Sequence, residues 1–555
     1  MKGIRPILAT GLVLTLLGAA VASADPTTTT AGARRGDWPS WQKDLSGTRF
    51  NADERRITAR TVGGLELKWA FAYPHTDAPV RSQPAIVDGV AYFGGPDGKF
   101  YARDARTGAP RWTFDMSVVE PGPRPAIAWD GPAVANGRVY FGDIRGYVYS
   151  LEQRTGRLVW AKQVDAHPSA TVTSSPIVFE GRVYVGTSSG ENTAGKDYAC
   201  CTFRGHIDAL DANTGALAWR HYTVPQPQAV GTWPSGATKY EPSGAGVWSS
   251  PVVDAKTRTL YVGTGQNYTG SAGDFDTMLA LDPRTGAVKW RNQVTKADTW
   301  RSLCNDPDPE GYCPGLKDGS ALDYDIGATP NVFTVGGRTL VGVGQKLGVY
   351  HVFDARTGEV VWRRQLGVPL PSGGISGIQW GSSFDGRRLY IATYFADPGT
   401  VFAVDPATGT VLWQTPNPAD GCTTGGAAQH PDICSLGHGP AVSSSPGVVY
   451  EGGNDGKLRA YSATTGRVLW TYDTVRDFTG VNGLPGRGGA ISGGGGGAVV
   501  SDGMVYVQAG YAPAYPNPDG GQVLLACGLS RTRKGGARPA GHPPSARCAT
   551  GRHIP

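Results

Sequence analysis

Short apolar runs alternate with Gly and Asp breaks along most of the chain. Val139-Tyr140-Phe141-Gly142 leads to Gly146-Tyr147-Val148-Tyr149-Ser150-Leu151, then to Thr155-Gly156, then to Leu158-Val159-Trp160. These runs are rich in β-branched and aromatic residues, which suit a pleated, half-buried strand. Beyond the N-terminus no long apolar stripe recurs with the 3.6-residue period of an amphipathic helix. The pattern predicts short antiparallel strands joined by tight turns.

A phrase D-x-x-T-G-x-x-x-W punctuates these strands. It runs from Asp104 to Trp112, Asp211 to Trp219, Asp282 to Trp290, Asp354 to Trp362 and Asp405 to Trp413. Two variants change only the first residue, Glu152 to Trp160 and Ser462 to Trp470. The seven copies lie about 50 to 70 residues apart, a period that marks stacked supersecondary units. Thr-Gly suits a hairpin turn, because Gly accepts positive φ without steric cost. The Trp is large enough to pack against a neighbouring unit. A four-stranded sheet cannot bury both faces alone, whereas a ring of such sheets can. The expected fold is therefore all-β, an eight-bladed β-propeller of four-stranded antiparallel blades with tryptophan-docking repeats. The eighth blade has no signature of its own. It is expected from Ala498 to Val507 and Gln522 to Ala526, closed by the N-terminal Leu65-Glu66-Leu67-Lys68-Trp69.

Residues 1–24 read as a signal peptide: Lys2 and Arg5, an apolar stretch from Ile7 to Val21, then Ala22-Ser23-Ala24. A polar linker over 25–36, a propeller over 37–527 and a basic tail over 528–555 follow. No other run approaches the roughly 20 apolar residues of a membrane span. The expected location is outside the cytoplasm, secreted or in the periplasm or cell envelope, with no transmembrane anchor after cleavage. The formal net charge is +6, of which the tail carries six positive charges and the leader two, leaving a body at −2. A nearly neutral body argues against a nucleic-acid partner. The tail has little apolar content and is expected to be disordered, or marks a shifted reading frame. Eight cysteines in an exported chain read as disulfides. Cys304 with Cys313 and Cys422 with Cys434 are local candidates. Adjacent Cys200 and Cys201 either bond to each other or pair elsewhere, and Cys527 and Cys548 pair or stay free. No C-x-x-C-H haem-attachment motif occurs.

Chemistry-bearing residues sit between the repeats: Ser188-Ser189-Gly190-Glu191, Gly246-Val247-Trp248, Gly265-Gln266-Asn267, Asp323-Tyr324-Asp325 and Gln345-Lys346. Taken singly, each reads as ordinary structure: a solvated glutamate, a core tryptophan, a turn, a surface loop. Taken together they supply hard oxygen ligands, an aromatic plate, a carboxylate base and a cation, the components of a metal-assisted redox cofactor site.

With these motifs in order, the chain resembles the pyrroloquinoline quinone (PQQ)-dependent alcohol dehydrogenases, in particular their polyvinyl-alcohol-dehydrogenase-like branch. The resemblance covers about residues 37–526. It includes Asp37-Trp38-Pro39-Ser40-Trp41, Gly47-Thr48-Arg49-Phe50-Asn51, Cys200-Cys201-Thr202-Phe203-Arg204-Gly205 and Asp323-Tyr324-Asp325-Ile326-Gly327. It implies PQQ as cofactor with a calcium ion, Asp325 leaving room for a lanthanide. It implies Glu191 as a metal ligand, Trp248 as the floor under the quinone, Asp323 as catalytic base and Lys346 as the cation beside the quinone carbonyls. The metal-binding amide falls on Gln266 where the family expects Asn or Asp, so that Asn267 shifting in is slightly favoured. Thr173 and Ser174 match cofactor-contacting hydroxyls, with Gln83, Arg124 and Trp380 as further candidates on the central face. Cys200 and Cys201 either cover the quinone or form a structural bridge. The implied reaction is oxidation of an alcohol, secondary or polymeric, with electrons passed to a separate acceptor such as a cytochrome c. A non-catalytic envelope scaffold built on the same repeats is the alternative reading. A propeller hydrolase or lyase ranks last, since the scattered His206, His221, His351 and His438 offer no acid–base pair.

Overall fold

The strand runs pair in sequence order into four-stranded antiparallel sheets, most hairpins being closed by tight turns that bring consecutive strands side by side. The computed structural model describes residues 34–530 apart from 77, 121–123, 306–307, 309, 314, 369–376, 395–397, 492–496 and 511–521. The expected leader at 1–24, and the linker and tail for the most part, lie outside the described residues, as does Cys548. Eight blades result. The first is Ala85–Val87, Val90–Gly94, Lys99–Asp104 and Pro110–Asp115. The next six begin at Ala133–Ala135, Ile177–Phe179, Val252–Asp254, Asn331–Val335, Ser383–Phe384 and Ser443–Ser445. The eighth joins both ends of the chain: Val499–Ser501, Met504–Ala509 and Val523–Leu529 are completed by Leu65–Ala72, which pairs antiparallel with Val523–Leu529. Among the described residues the only α-helical segment is Gly315–Asp318, and no helix is long and apolar enough to cross a membrane.

The core lies between the faces of adjacent blades. Phe100 of the first blade stacks on Phe141 of the second with ring centroids 4.0 Å apart. The signature supplies the link from blade to blade. Asp104 Oδ1 accepts from the backbone N–H groups of Arg106 and Thr107 and from the Thr107 hydroxyl, which folds the turn. The indole of each signature Trp then reaches the turn of the following blade. Trp112 Nε1 donates to the Gln153 carbonyl, Trp160 to Ala212, Trp219 to Pro283, Trp290 to Ala355, Trp362 to Pro406 and Trp413 to Ala463. Closure uses the same device: Trp470 donates to Leu65, and Trp69 of the joining strand to Ala105. Every one of these indoles except Trp470 occupies space that a Cβ on the turn glycine would need.

Residues 38–51 thread the axis and bond to blade after blade. Trp38 bridges Ile86, and the carbonyls of Pro39, Leu45, Ser46, Thr48 and Arg49 accept from Val134, Val253, Val332, Phe384 and Ser444. Gln42 Nε2 donates to Ser175 and Pro251, and Asn51 Nδ2 to Val500. All eight blades are thereby tied to one axial plug. Fully buried Arg49 anchors it through Val442 O, Trp41 O, Gln83 Oε1 and Ser443 Oγ. The plug meets the innermost strands, leaving the connections that precede those strands to form the opposite, open end of the axis.

Gly286 (φ +73°) and Gly89 (φ +72°) share a left-handed conformation, but a Cβ at Gly286 would lie 2.6 Å from Trp219, whereas one at Gly89 meets nothing within 4 Å. Alanine at either position costs about 1 kcal/mol of backbone strain, and only Gly286→Ala adds about 1–3 kcal/mol of overpacking. Urea unfolding of the two variants should separate them by that margin; equal midpoints would remove the docking role of the indole.

Candidate active site at the open end of the axis

Every charged candidate comes from a connection at this one end. Asp323 and Asp325 precede the innermost strand of the fifth blade, and Lys346 follows its second strand, Arg338–Gly344. The Lys346 ammonium lies 2.7 Å from Asp323 Oδ1 and 2.5 Å from Asp325 Oδ2, with all three side chains buried. It also sits 5.4 Å from the centre of the Trp248 ring. Trp248 is half-buried, packs edge-on against Trp380 at 5.1 Å, and rests over Gly327, where any Cβ would collide with the indole. Asp323 has φ +54° and Trp380 φ +66°, a conformation rare for residues with a Cβ and concentrated at functional sites.

Gln266 joins this group. Its backbone N–H donates to Asp325 Oδ1 at 2.5 Å. With its side-chain nitrogen toward Asp325 the amide donates to both carboxylate oxygens, Oδ2 at 3.1 Å. The opposite orientation would set its oxygen against the carboxylate, an arrangement that a bound cation would favour. Asn267 is the amide favoured from the sequence for this place, and its Oδ1 is buried without a hydrogen-bond partner. Its Nδ2 holds the Gly270 and Ala272 carbonyls at 3.1 Å each, because successive residues of the strand Asn267–Thr269 and its approach point to opposite sides.

Two further carboxylates, Asp276 and Asp298, escaped the sequence reading. Asp298 is buried and accepts three consecutive backbone N–H groups, from Leu322 at 3.2 Å, Asp323 at 2.9 Å and Tyr324 at 2.6 Å. Asp276 is fully buried, and neither of its oxygens has a hydrogen-bond donor. Burial raises the Asp276 carboxyl well above its ordinary range, and Asp298 adds to the rise. Burial also lifts Asp298 to about 6 despite the backbone donors. Asp323 is pushed up to about 8 by burial, with Lys346 pulling the other way and Asp325 reinforcing. Burial works against the charged form of Lys346, but Asp323 and Asp325 outweigh it and hold the ammonium above its ordinary range. Four buried carboxylates thus interact in one cluster, with only two of them paired to an ammonium, an excess of hard oxygen ligands that fits a bound divalent or trivalent cation.

Glu191 and the cysteine pair form a second group nearby. Cys200 and Cys201 are bonded to each other, and their sulfurs and the Glu191 carboxylate lie within 4.8 Å of one another. The Glu191 oxygens accept from Thr202 N and Phe203 N at 2.8 Å each, and His167 Nε2 stands 3.4 Å away. Although burial opposes it, these partners hold Glu191 below the usual carboxylate range. Tyr268 stands between the groups, its hydroxyl donating to Ser189 O while feeling the charges of both Glu191 and Asp325. Arg301 backs the cysteine pair, 3.8 Å from Cys201 Sγ and stacked on Trp233. The bridges Cys304–Cys313 and Cys422–Cys434 form as the spacing suggested.

The remaining candidates divide. Half-buried Thr173 faces Ser188 Oγ at 3.3 Å, and Arg124 is fastened to the Ala170 carbonyl at 2.7 Å. Ser174 instead accepts from Gly186 N inside the third blade, and Gln83 is engaged by Arg49 and Trp41 of the plug. The polar atoms of these last two are used by the scaffold.

Comparison with known proteins agrees with this geometry. Residues 38–302 match the model described as glucose/ethanol/alcohol dehydrogenase, beta-propeller domain, and 345–524 match that of the outer membrane protein assembly factor BamB. The chain is 30% identical to a polyvinylalcohol dehydrogenase of Pseudomonas sp, covering 86% of this chain and 73% of the relative. It is 31% identical to a polyvinylalcohol dehydrogenase of Sphingopyxis sp., covering 90% and 76%. The chain belongs to the PQQ-dependent alcohol dehydrogenase family. Its fold matches the solved quinohemoprotein alcohol dehydrogenase ADHIIG of Pseudomonas putida with a TM-score of 0.66 at 20% identity, over 91% of this chain and 82% of that one. As a member of this family it is an oxidoreductase with PQQ as its cofactor. The half-buried faces of Trp248 and Trp380 fit a flat ring system, and the acceptor-rich group beside them fits a cation.

The raised Asp323 value has a consequence for the metal-free protein. Its pKa climbs from 3.8 to about 8 on folding, so the folded state binds the proton more tightly and loses stability as the pH rises through that window. Asp323→Asn removes this loss. The melting temperature of the metal-free variant relative to wild type should therefore increase between pH 5 and pH 8; a difference independent of pH would contradict the burial argument.

Proposed function

We propose that this chain is an exported quinoprotein dehydrogenase that oxidises secondary or polymeric alcohols of the polyvinyl-alcohol type, with calcium as its cation. The observation that carries this reading is the Lys346 ammonium bridging Asp323 and Asp325 beside Trp248, with Gln266 against the Asp325 carboxylate. PQQ, when bound, supplies the hydride acceptor. Trp248 presents a flat indole on which a planar ring stacks. Gln266, Asp323, Asp325 and Glu191 would hold the calcium ion. Asp323, held by Lys346 through Oδ1, would take the proton of the substrate hydroxyl as general base. Lys346, kept charged by its two carboxylates, stabilises negative charge developing beside it. The second calcium candidate, Asn267, keeps a buried oxygen without a hydrogen-bond partner but points to the other side of its strand.

The polymeric class of substrate is suggested by the two polyvinylalcohol dehydrogenases above and by long connections at the open end. The hairpin Gln228–Thr232 with Thr238–Glu241, the excursion after Trp300 and the stretch around Gly425–Gln429 all rise there, where loops set specificity. A separate acceptor such as a cytochrome c takes the electrons, consistent with the absence of a C-x-x-C-H motif in the sequence.

The roles separate kinetically. In protein reconstituted with PQQ and calcium, dye-linked alcohol oxidation by Asp323→Asn should fall by about 10²–10⁴-fold in kcat with quinone affinity retained. Trp248→Ala should weaken quinone binding instead, by about 1–3 kcal/mol if stacking on an aromatic plate is worth what it is for nucleobases. Wild-type turnover in Asp323→Asn would overturn the assignment of the base.

A further inference from the structure

The chain leaves the site at Asp298 and returns to it at Leu322, and the two points are held together by one carboxylate. Asp298 Oδ1 accepts from Leu322 N and Asp323 N, and Oδ2 from Tyr324 N. Beside this, Thr299 N donates to Ser320 O at 2.8 Å, closing the neck of the excursion. Asp298 is itself fixed from below: its carbonyl accepts from Asn267 N, and Trp300 N donates to Asn267 O. These bonds tie it to the strand that follows Gln266. The excursion in between carries the Cys304–Cys313 bridge and reaches across to Trp233 through Tyr312, whose rings lie 6.2 Å apart.

Asp323, the first residue to return to the site, has φ +54°. A residue with a Cβ stays in that conformation only where its surroundings over-determine it. Three N–H groups in succession on one buried acceptor do so, because rotation about any of the three residues would break one of these bonds. Asp276 packs against the same carboxylate without offering it a second route to solvent.

We propose that Asp298 is the positioning residue for the catalytic aspartate, fixing Asp323 against Lys346. This rests on the reading of Asp323 as the base. Asp298 does not contact substrate; it acts through the backbone of 322–324.

Two measurements on Asp298→Ala and Asp298→Asn test it. The first is hydrogen–deuterium exchange of the full chain without cofactor or metal. The peptide spanning 320–326 should lose protection by about tenfold or more in Asp298→Ala while blade strands keep theirs, and by less in Asp298→Asn, which retains one acceptor oxygen. The second is kinetics after reconstitution with PQQ and calcium: kcat falls on the order of 10²-fold in Asp298→Ala, with KM and quinone affinity unchanged. Unaltered exchange in 320–326, or wild-type kcat, overturns the proposal; should the alanine variant fail to fold, the same two criteria apply to Asp298→Asn. Asp323→Asn measured alongside distinguishes the failures. An active Asp323→Asn sinks the assignment of the base, whereas an inactive Asp323→Asn beside a fully active Asp298→Ala sinks the clamp alone.

Discussion

The fold depends on one contact made eight times: an indole lying on the turn of the next blade and donating its N–H to a carbonyl there. Each instance is worth about 1 kcal/mol as a hydrogen bond, with the apolar burial of the ring added. Its larger effect is geometric. Because the same two atoms meet at every interface, each blade is set at the same angle to its neighbour, and the ring closes when Trp470 and Trp69 repeat the contact through the N-terminal strand. The turn glycine is required twice over, by its φ and by the indole that occupies the space of a Cβ.

Closure fixes where chemistry can occur. With residues 38–51 bonded to all eight blades, one end of the axis is filled by backbone and by Arg49, whose own burial lowers its pKa to about 9. The other end is lined by connections free of those bonds. Trp248, Asp323, Lys346 and Glu191 come from three consecutive blades and converge only because the ring brings their connections to one point. The excess of carboxylate there opposes folding by itself, and a rigid ring is what holds it together until a cation neutralises it.

Much of this was legible along the chain. Spaced Trp signatures and period-two runs report on local pairing, so blade number, strand order and closure by Leu65–Ala72 could be read directly. Glu191, Trp248, Asp323 and Lys346 read singly as ordinary structure, and only the family resemblance of their motifs in order singled them out; the fold then brings Asp323 and Lys346 together. The plug was not legible, since its bonds are mainly backbone to backbone and carry no side-chain signal. Asp298 was missed because a long excursion separates it from the N–H groups it binds, and Asp276 because nothing in sequence marks a carboxylate that will be buried without a donor. The choice between Gln266 and Asn267 stayed open in the sequence for a simpler reason: neighbouring residues on a strand face opposite ways, and which one faces the site is set by register.

The central claim is that the open end of the axis is built around a quinone and a cation together. A crystal structure of the chain reconstituted with PQQ and calcium tests it most directly. The account predicts the quinone ring lying on Trp248 with calcium held by oxygens of Gln266, Asp323, Asp325 and Glu191, and the Lys346 ammonium still within reach of Asp323. A quinone seated elsewhere, or seated over Trp248 with no cation among those oxygens, would contradict it.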